Sequence, residues 1–215
     1  MIDVIKLLNE KYDINETHSA KIDLPFDYDE RYKVTAIVGG SGTGKSTLAK
    51  KWFGVSSTEF NFDDSRSIIE VLFQVLEDFE KCSKLLFDVG LSAVPVWKNP
   101  YLTLSNGEKL RFEIAYKLAE AQRIIYIDEF TSMLDRQVAQ NLALNINRLA
   151  EQYGKNIVLI TAHYDILNWV KVDRLVDTTL KKSHTPQTNQ HVDYTTWKSI
   201  TYPEICGEYL KTITI

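Results

Sequence analysis

The sequence predicts an α/β fold: a mainly parallel sheet covered by helices on both faces. Three observations carry this. Short apolar runs at Val34–Val38, Ile124–Ile127 and residues 157–161, rich in β-branched side chains, suit buried strands. Between them lie stretches with apolar residues at helical spacing, and strands alternating with helices imply parallel crossovers. With 44% hydrophobic and 25% charged residues over 215 positions, the chain has enough interior for a core and is neither disordered nor fibrous.

Each element has its own signal. Ile2, Ile5, Leu8 and Tyr12 mark a short amphipathic helix over residues 2–12, and residues 20–24 read as a strand closed by Pro25. Strand Val34–Val38 runs into a glycine cluster, and residues 47–53 then read as helix. Ile68, Val71, Leu72, Val75 and Phe79 line one face of a helix over 67–81, and Pro95 and Pro100 mark an irregular loop. Helix 107–120, strand Ile124–Ile127, helix 138–152 closed by Gly154, and strand 157–161 follow in turn. Past Leu180 the pattern weakens, with a polar loop over 181–190 and one or two edge strands within 205–215. The division is therefore one domain over 1–180, with its core at 31–180, and a tail over 181–215.

Composition excludes several classes. Lys and Arg number 25 against 29 Asp and Glu, a net charge of −4 that argues against coating nucleic acid by bulk charge. Two distant cysteines, Cys82 and Cys206, form no disulfide framework and suit a reducing compartment. No apolar run reaches the roughly 18–20 residues of a membrane span, and the first residues hold an acid and no apolar signal region. A soluble, cytoplasmic protein with no direct membrane insertion is expected.

Four of the nine glycines fall within residues 39–44. Gly39-Gly40-Ser41-Gly42-Thr43-Gly44-Lys45-Ser46 fits G-x-x-x-x-G-K-[ST], the phosphate loop of P-loop nucleoside triphosphatases, between a strand and a helix as that motif requires. Glycines let successive N–H groups turn inward around phosphates, and the helix start adds its partial positive charge. Lys45 should reach the β- and γ-phosphates, the Ser46 hydroxyl should ligate Mg²⁺, and Thr47 should add a phosphate donor.

Strand Ile124–Ile127 ends in Asp128-Glu129. Asp128 would hold Mg²⁺ through water while Glu129 polarises the attacking water, two tasks needed on one side of a γ-phosphate. Ser105-x-x-Glu108 is a capping box, and a helix start with Ser105 and Gly107 also presents N–H groups and a hydroxyl to an anion. His163 follows strand 157–161, at the end of the sheet where it can hydrogen-bond a γ-phosphate.

These motifs together resemble the ATP-binding cassette (ABC) ATPases. Residues 104–111 (LSNGEKLR) are similar to the LSGGQ signature with its following Arg, here Arg111; Asn106 replaces the first glycine and Glu108 the glutamine. Residues 128–135 (DEFTSMLD) resemble DEPTSALD, with Phe130 where proline is usual and Asp135 as the D-loop acid that would contribute to nucleotide binding. Residues 160–163 (ITAH) resemble the switch-histidine loop. The resemblance covers Val34 to about Asp177. It implies ATP and Mg²⁺ as ligands and a head-to-tail homodimer with ATP between the subunits. Ser105 and Gly107 would then act on the partner's nucleotide and Glu129 as base in its own subunit.

The chain departs from transport cassettes between phosphate loop and signature. Ser46 and Ser105 are about 60 positions apart, which implies a reduced helical subdomain. Within it Gln74 is the one candidate for the family's Gln loop, with Asp63 or Asp64 as substitutes; Tyr12, Phe26 and Tyr32 are candidates for the adenine-stacking aromatic. The shortening favours compact cassettes resembling those that stand alone in bacteria and phages or are joined to acetyltransferase-like domains. Three readings follow: an ATPase driving a change in a partner, an ATP-dependent clamp on nucleic acid or protein, and the ATP-binding subunit of a transporter. The tail, with Lys181, Lys182 and His184 near Tyr194, Trp197, Tyr202 and Tyr209, either packs as an edge or contacts nucleic acid.

Overall fold

The computed structural model describes residue 11, residues 27–54, residue 60 and residues 62–185. Apart from residue 11, the elements expected at 2–12, 20–24 and 205–215 lie outside these residues, as do Tyr12, Phe26, Cys206 and the tail aromatics.

Five strands form one sheet: β1 (Val34–Val38), β2 (Ile124–Ile127), β3 (Asn156–Thr161), β4 (Arg174–Asp177) and β5 (Lys182–His184), in spatial order β2-β3-β1-β4-β5. The first four run parallel and β5 returns antiparallel to β4. Val38 pairs with both Thr161 and Asp177, so β1, β3 and β4 finish at the same edge. In open parallel sheets that edge is where ligands sit. Residues 182–184 correct the sequence reading: they are an edge strand, where a polar loop was expected. Lys182 pairs with Asp177 and His184 with Leu175. Their fully exposed, polar character hid the pairing, since sequence pattern detects strands that bury a face. Strand β4 follows from the same pairing and carries too short an apolar run to announce itself.

The helices are α1 (Lys45–Phe53), α2 (Ile68–Leu76), α3 (Phe79–Asp88), α4 (Asn106–Ala119) and α5 (Arg136–Gln152). Alternation along the central strands sends side chains to opposite layers. Val34, Ala36 and Val38 of β1, with Ile157 and Leu159 of β3, join the large core under α2 to α5. Ile37, Val158, Ile160 and Val176 meet Leu48 and Ala49 of α1 on the other face. Each fully buried aliphatic or aromatic side chain in these layers contributes roughly 1.5–3 kcal/mol.

The single helix expected over 67–81 is two. A capping box between Ser67 and Glu70 starts α2, and Glu77 at φ 51° ends it. Asp78 then caps α3 by accepting from the Lys81 N–H at 3.1 Å. This arm is fastened to the sheet layer through Asp88. Its carboxylate accepts from Lys84 (2.6 Å), Arg148 (3.1 Å) and Tyr153 (2.7 Å), and from the Gln152 amide. Burial alone would raise this carboxyl. The bonds from Lys84, Tyr153, Gln152 and Arg148 outweigh it and hold Asp88 well below the usual carboxylate range.

Candidate nucleotide site

The phosphate loop leaves the centre of the sheet at Val38 and enters α1 at Lys45. Gly44 caps the helix in the left-handed region at φ 93°. Gly39 has φ 154°, a backbone conformation that L side chains rarely adopt, and a Cβ there would meet Thr178 Oγ1 at 2.2 Å and Thr43 Oγ1 at 2.7 Å. The Lys45 ammonium donates to the Gly39 and Gly40 carbonyls at 2.9 and 2.8 Å, folding the side chain across its own loop. Burial lowers its pKa, while the charges of Glu129 and Asp128 oppose that shift. Ser41 and Gly42 at the loop's tip, and Ser46 and Thr47 on the first turn of α1, are exposed.

A set of contacts from β4 braces this loop. Thr178 donates through its N–H and hydroxyl to Val38 O (2.9 and 3.1 Å) and lies 2.6 Å from the Thr43 hydroxyl. Thr179 Oγ1 accepts from the Gly40 N–H at 3.0 Å. Asp177, fully buried, accepts from Tyr164 OH and from the Leu180 N–H. Burial raises its carboxyl, opposed by the bonds from Leu180, Tyr164 and Thr179. The sequence reading assigned no role to Thr178, Thr179 or Asp177. The signal exists only once β4 is known to lie beside β1.

Asp128 and Glu129 leave β2 on a sequence of turns. Glu129 (φ 50°) and Thr131 (φ 67°) occupy the left-handed region, and the Glu129 N–H donates to Asp128 Oδ1 at 2.9 Å. Burial raises the Asp128 carboxyl. The Glu129 N–H bond opposes this, the Glu129 charge adds to it, and Lys45 lowers it. Phe130 has a physical reason to replace proline. Its N–H donates to Ile160 O at 2.8 Å, a bond proline cannot make, and its ring is completely buried. Asp135 caps α5, accepting from the Gln137 and Val138 N–H groups at 3.1 and 3.0 Å.

His163 stands after β3, its Nδ1 lying 3.4 Å from Thr131 Oγ1 and 3.1 Å from Arg136 Nη1. The charges of Glu129 and Asp128 act on Lys45, and His163 contacts Thr131 on the loop that carries the acids. Ser105 and Gly107 start α4, where the expected capping box forms with Glu108. The Ser105 hydroxyl and N–H both donate to Glu108 Oε2, at 2.7 and 2.8 Å, and these bonds lower the carboxyl's pKa. A Cβ on Gly107 would lie 3.5 Å from Arg111 Nη1 and Val138 Cγ1 and 3.7 Å from Leu134 Cδ2. Among the described residues, no hydrogen bond or ion pair joins Ser105 to the phosphate loop of its own chain.

Gln74 is exposed on α2, and Asp63 is engaged by Ser65, whose N–H donates to it at 3.0 Å and whose hydroxyl at 2.6 Å. Tyr32 precedes β1 at the end of the strand opposite the phosphate loop and packs against Arg174, so it is not positioned to stack on a base bound there. Among the described residues no three His, Cys, Asp or Glu side chains converge. The hydroxyl of Ser46 and the carboxylate of Asp128 are hard oxygen donors. Such a sparse set fits Mg²⁺, which keeps water and takes phosphate oxygens, and does not resemble a closed protein cage.

A strand, a glycine loop closed by its own lysine, a helix start, and an acid pair on a neighbouring strand end define a P-loop nucleoside triphosphatase site. Comparison with known proteins narrows the class. The family described as "ABC transporter" matches residues 28–132. The energy-coupling factor transporter ATP-binding protein EcfA1 of Leuconostoc mesenteroides is 30% identical over 213 positions, covering 82% of this chain and 77% of that protein. EcfA of Methanoculleus marisnigri is 26% identical, covering 64% of this chain and 63% of that one, so the chain spans just under two thirds of its length. The structure of cbiO1 from Clostridium perfringens, described as part of the ABC transporter complex cbiONQ, superposes with a TM-score of 0.59. It is 20% identical, with 83% of this chain and 87% of that chain covered. The chain belongs to the ATP-binding cassette family of ATPases and is homologous to ATP-binding subunits of energy-coupling factor transporters. The short spacing from Ser46 to Ser105, read above against a transporter, does not carry that exclusion against this homology.

Proposed function

We propose that this chain is the ATP-hydrolysing subunit that energises a membrane-embedded transport partner, working as a head-to-tail dimer with Mg-ATP between the subunits. The observation that carries the partner reading is the arm. Of the seven large hydrophobic side chains left exposed among the described residues, Phe73, Phe79, Phe87, Val94 and Leu102 all belong to residues 73–102. Concentrated apolar exposure marks a surface that another protein covers. No described helix is long and apolar enough to cross a membrane, so the partner would supply the spanning segments.

In this reading Gly39 to Gly44 and Thr47 wrap the phosphates. Lys45 would leave its loop carbonyls for the β- and γ-phosphates, and Ser46 and Asp128 would hold Mg²⁺. The metal held there would supply neutralisation of the charge that develops on the phosphates. Glu129 orients and deprotonates the attacking water, His163 donates to the γ-phosphate, and Asp135 holds the start of α5 beside the dimer contact. The dimer reading rests on Ser105 and Gly107, which are separate from their own phosphate loop and so available to a second subunit.

Replacing Glu129 by Gln tests this directly. Turnover should fall at least about 100-fold, while light scattering in Mg-ATP should show twice the monomer mass. Wild-type turnover in that variant would refute Glu129 as the base. Co-expression with an integral membrane partner should yield a complex that Phe87→Asp abolishes without changing ATP binding. Stimulation of the wild-type ATPase by DNA or RNA, with no membrane complex, would favour a nucleic-acid clamp instead.

A further inference from the structure

We propose that Arg136 is a positioning residue that fixes the tautomer of His163, keeping the ring hydrogen on Nε2. The inference deepens the nucleotide reading of His163 and rests on it for its functional consequence. Arg136 Nη1 lies 3.1 Å from His163 Nδ1. A guanidinium only donates and stays charged at any ordinary pH. Nδ1 must therefore present its lone pair, and the hydrogen of the neutral ring then sits on Nε2. An imidazolium in this position would set two donors and two positive charges against each other. Nε2–H is the group left to donate to a phosphate oxygen.

Two side chains hold Arg136 for this task, Asp165 and Trp169. Its Nε donates to Asp165 Oδ2 at 2.8 Å, and its Nη2 stands 2.5 Å from Oδ1, in ion-pair contact but out of line for a hydrogen bond. The guanidinium also lies over the Trp169 ring, 5.2 Å from its centre. On the histidine side, the His163 N–H donates to Thr161 Oγ1 at 3.0 Å, fixing the backbone from which the ring projects. Arg136 and Asp165 are 41% and 32% exposed at the side chain, so their pairing contributes little to stability. Its consequence is orientation. The other neighbour of Nδ1, Thr131 Oγ1 at 3.4 Å, can donate or accept, so it does not choose a tautomer.

The test is nitrogen NMR on the full chain labelled at its histidines, without nucleotide, at about pH 8, above the usual imidazole range. The resonance lost in His163→Gln identifies the ring. Wild type should show a lone pair on Nδ1 and hydrogen on Nε2, and Arg136→Met should show both tautomers with an unchanged circular dichroism spectrum. In Mg-ATP the same variant should lose on the order of 10-fold in kcat, with KM moving less than about 2-fold. Hydrogen on Nδ1 in wild type, or a single Nε2–H population persisting in Arg136→Met, would overturn the proposal. A wild-type chain that turns over no ATP would instead overturn the nucleotide reading, with the nitrogen spectrum still deciding the tautomer.

Discussion

Replacing Gly39 by alanine should damage the site in a way that Thr178 can be made to relieve. The added Cβ would stand 2.2 Å from Thr178 Oγ1 and 2.7 Å from Thr43 Oγ1, at φ 154°. Backbone strain in that region costs roughly 1–3 kcal/mol. Parting the Thr43 and Thr178 hydroxyls, now 2.6 Å apart, forfeits about 1 kcal/mol more. The variant should therefore unfold about 2–4 kcal/mol more readily. Thr178→Ala alone should cost about 1–2 kcal/mol, through its lost bonds to Val38 and Thr43. In the double variant the nearest clashing atom is gone and the same hydroxyl bond is not lost twice, so the combined cost should fall short of the sum by about 1 kcal/mol. Urea titration at constant m measures all four corners of the cycle. Costs that add to within about 0.3–0.5 kcal/mol would show that Thr178 does not press on the phosphate loop, and the account of how β4 braces that loop would fail.

Phe130→Pro, which restores the residue usual in the family, should destabilise by about 3–5 kcal/mol, because it empties a fully buried ring position and deletes the N–H bond to Ile160; thermal unfolding checks it. Two aspartates should respond to pH with opposite sign. Asp88, held low by its donors, contributes stability above about pH 4 that is lost as pH falls, so the gap between wild type and Asp88→Asn should close in acid. Asp177, raised by burial, holds its proton longer when folded, so wild type should lose ground to Asp177→Asn as pH climbs above about 4. Glu108→Gln keeps the capping box but removes a charge beside Ser105; in the Glu129→Gln background the ATP-bound dimer should tighten about 3- to 10-fold by analytical ultracentrifugation.

Much of the fold was legible in the sequence because its central strands bury both faces. Val34–Val38 and Ile124–Ile127 were read at their observed bounds, and β3 and α5 lacked only one and two residues at their starts. What escaped was decided by local chemistry or by topology. Asp78 caps a new helix where apolar spacing alone suggested continuity. The roles of Thr178, Thr179 and Asp177 depend on β4 lying next to β1, which no pattern along the chain reveals. At the site, glycine and lysine spacing identified the phosphate loop, and a strand ending in acids identified Asp128 and Glu129. Arg136 was invisible as a partner of His163, 27 positions away, because their contact needs α5 to start beside the exit of β3.

The Phe130 to Ile160 bond has a consequence for timing. It ties the exit of β2 to the exit of β3, and Thr131 adds a second contact, to His163. The acid that would attack through water and the imidazole that would feel the γ-phosphate thus ride on one stiff plate. They cannot report hydrolysis by moving apart from each other. A shift of this plate on phosphate departure would be felt against the phosphate loop, and Asp177, Thr178 and Thr179 are contacts that would transmit it, being bonded to Tyr164 on one side and to the loop on the other.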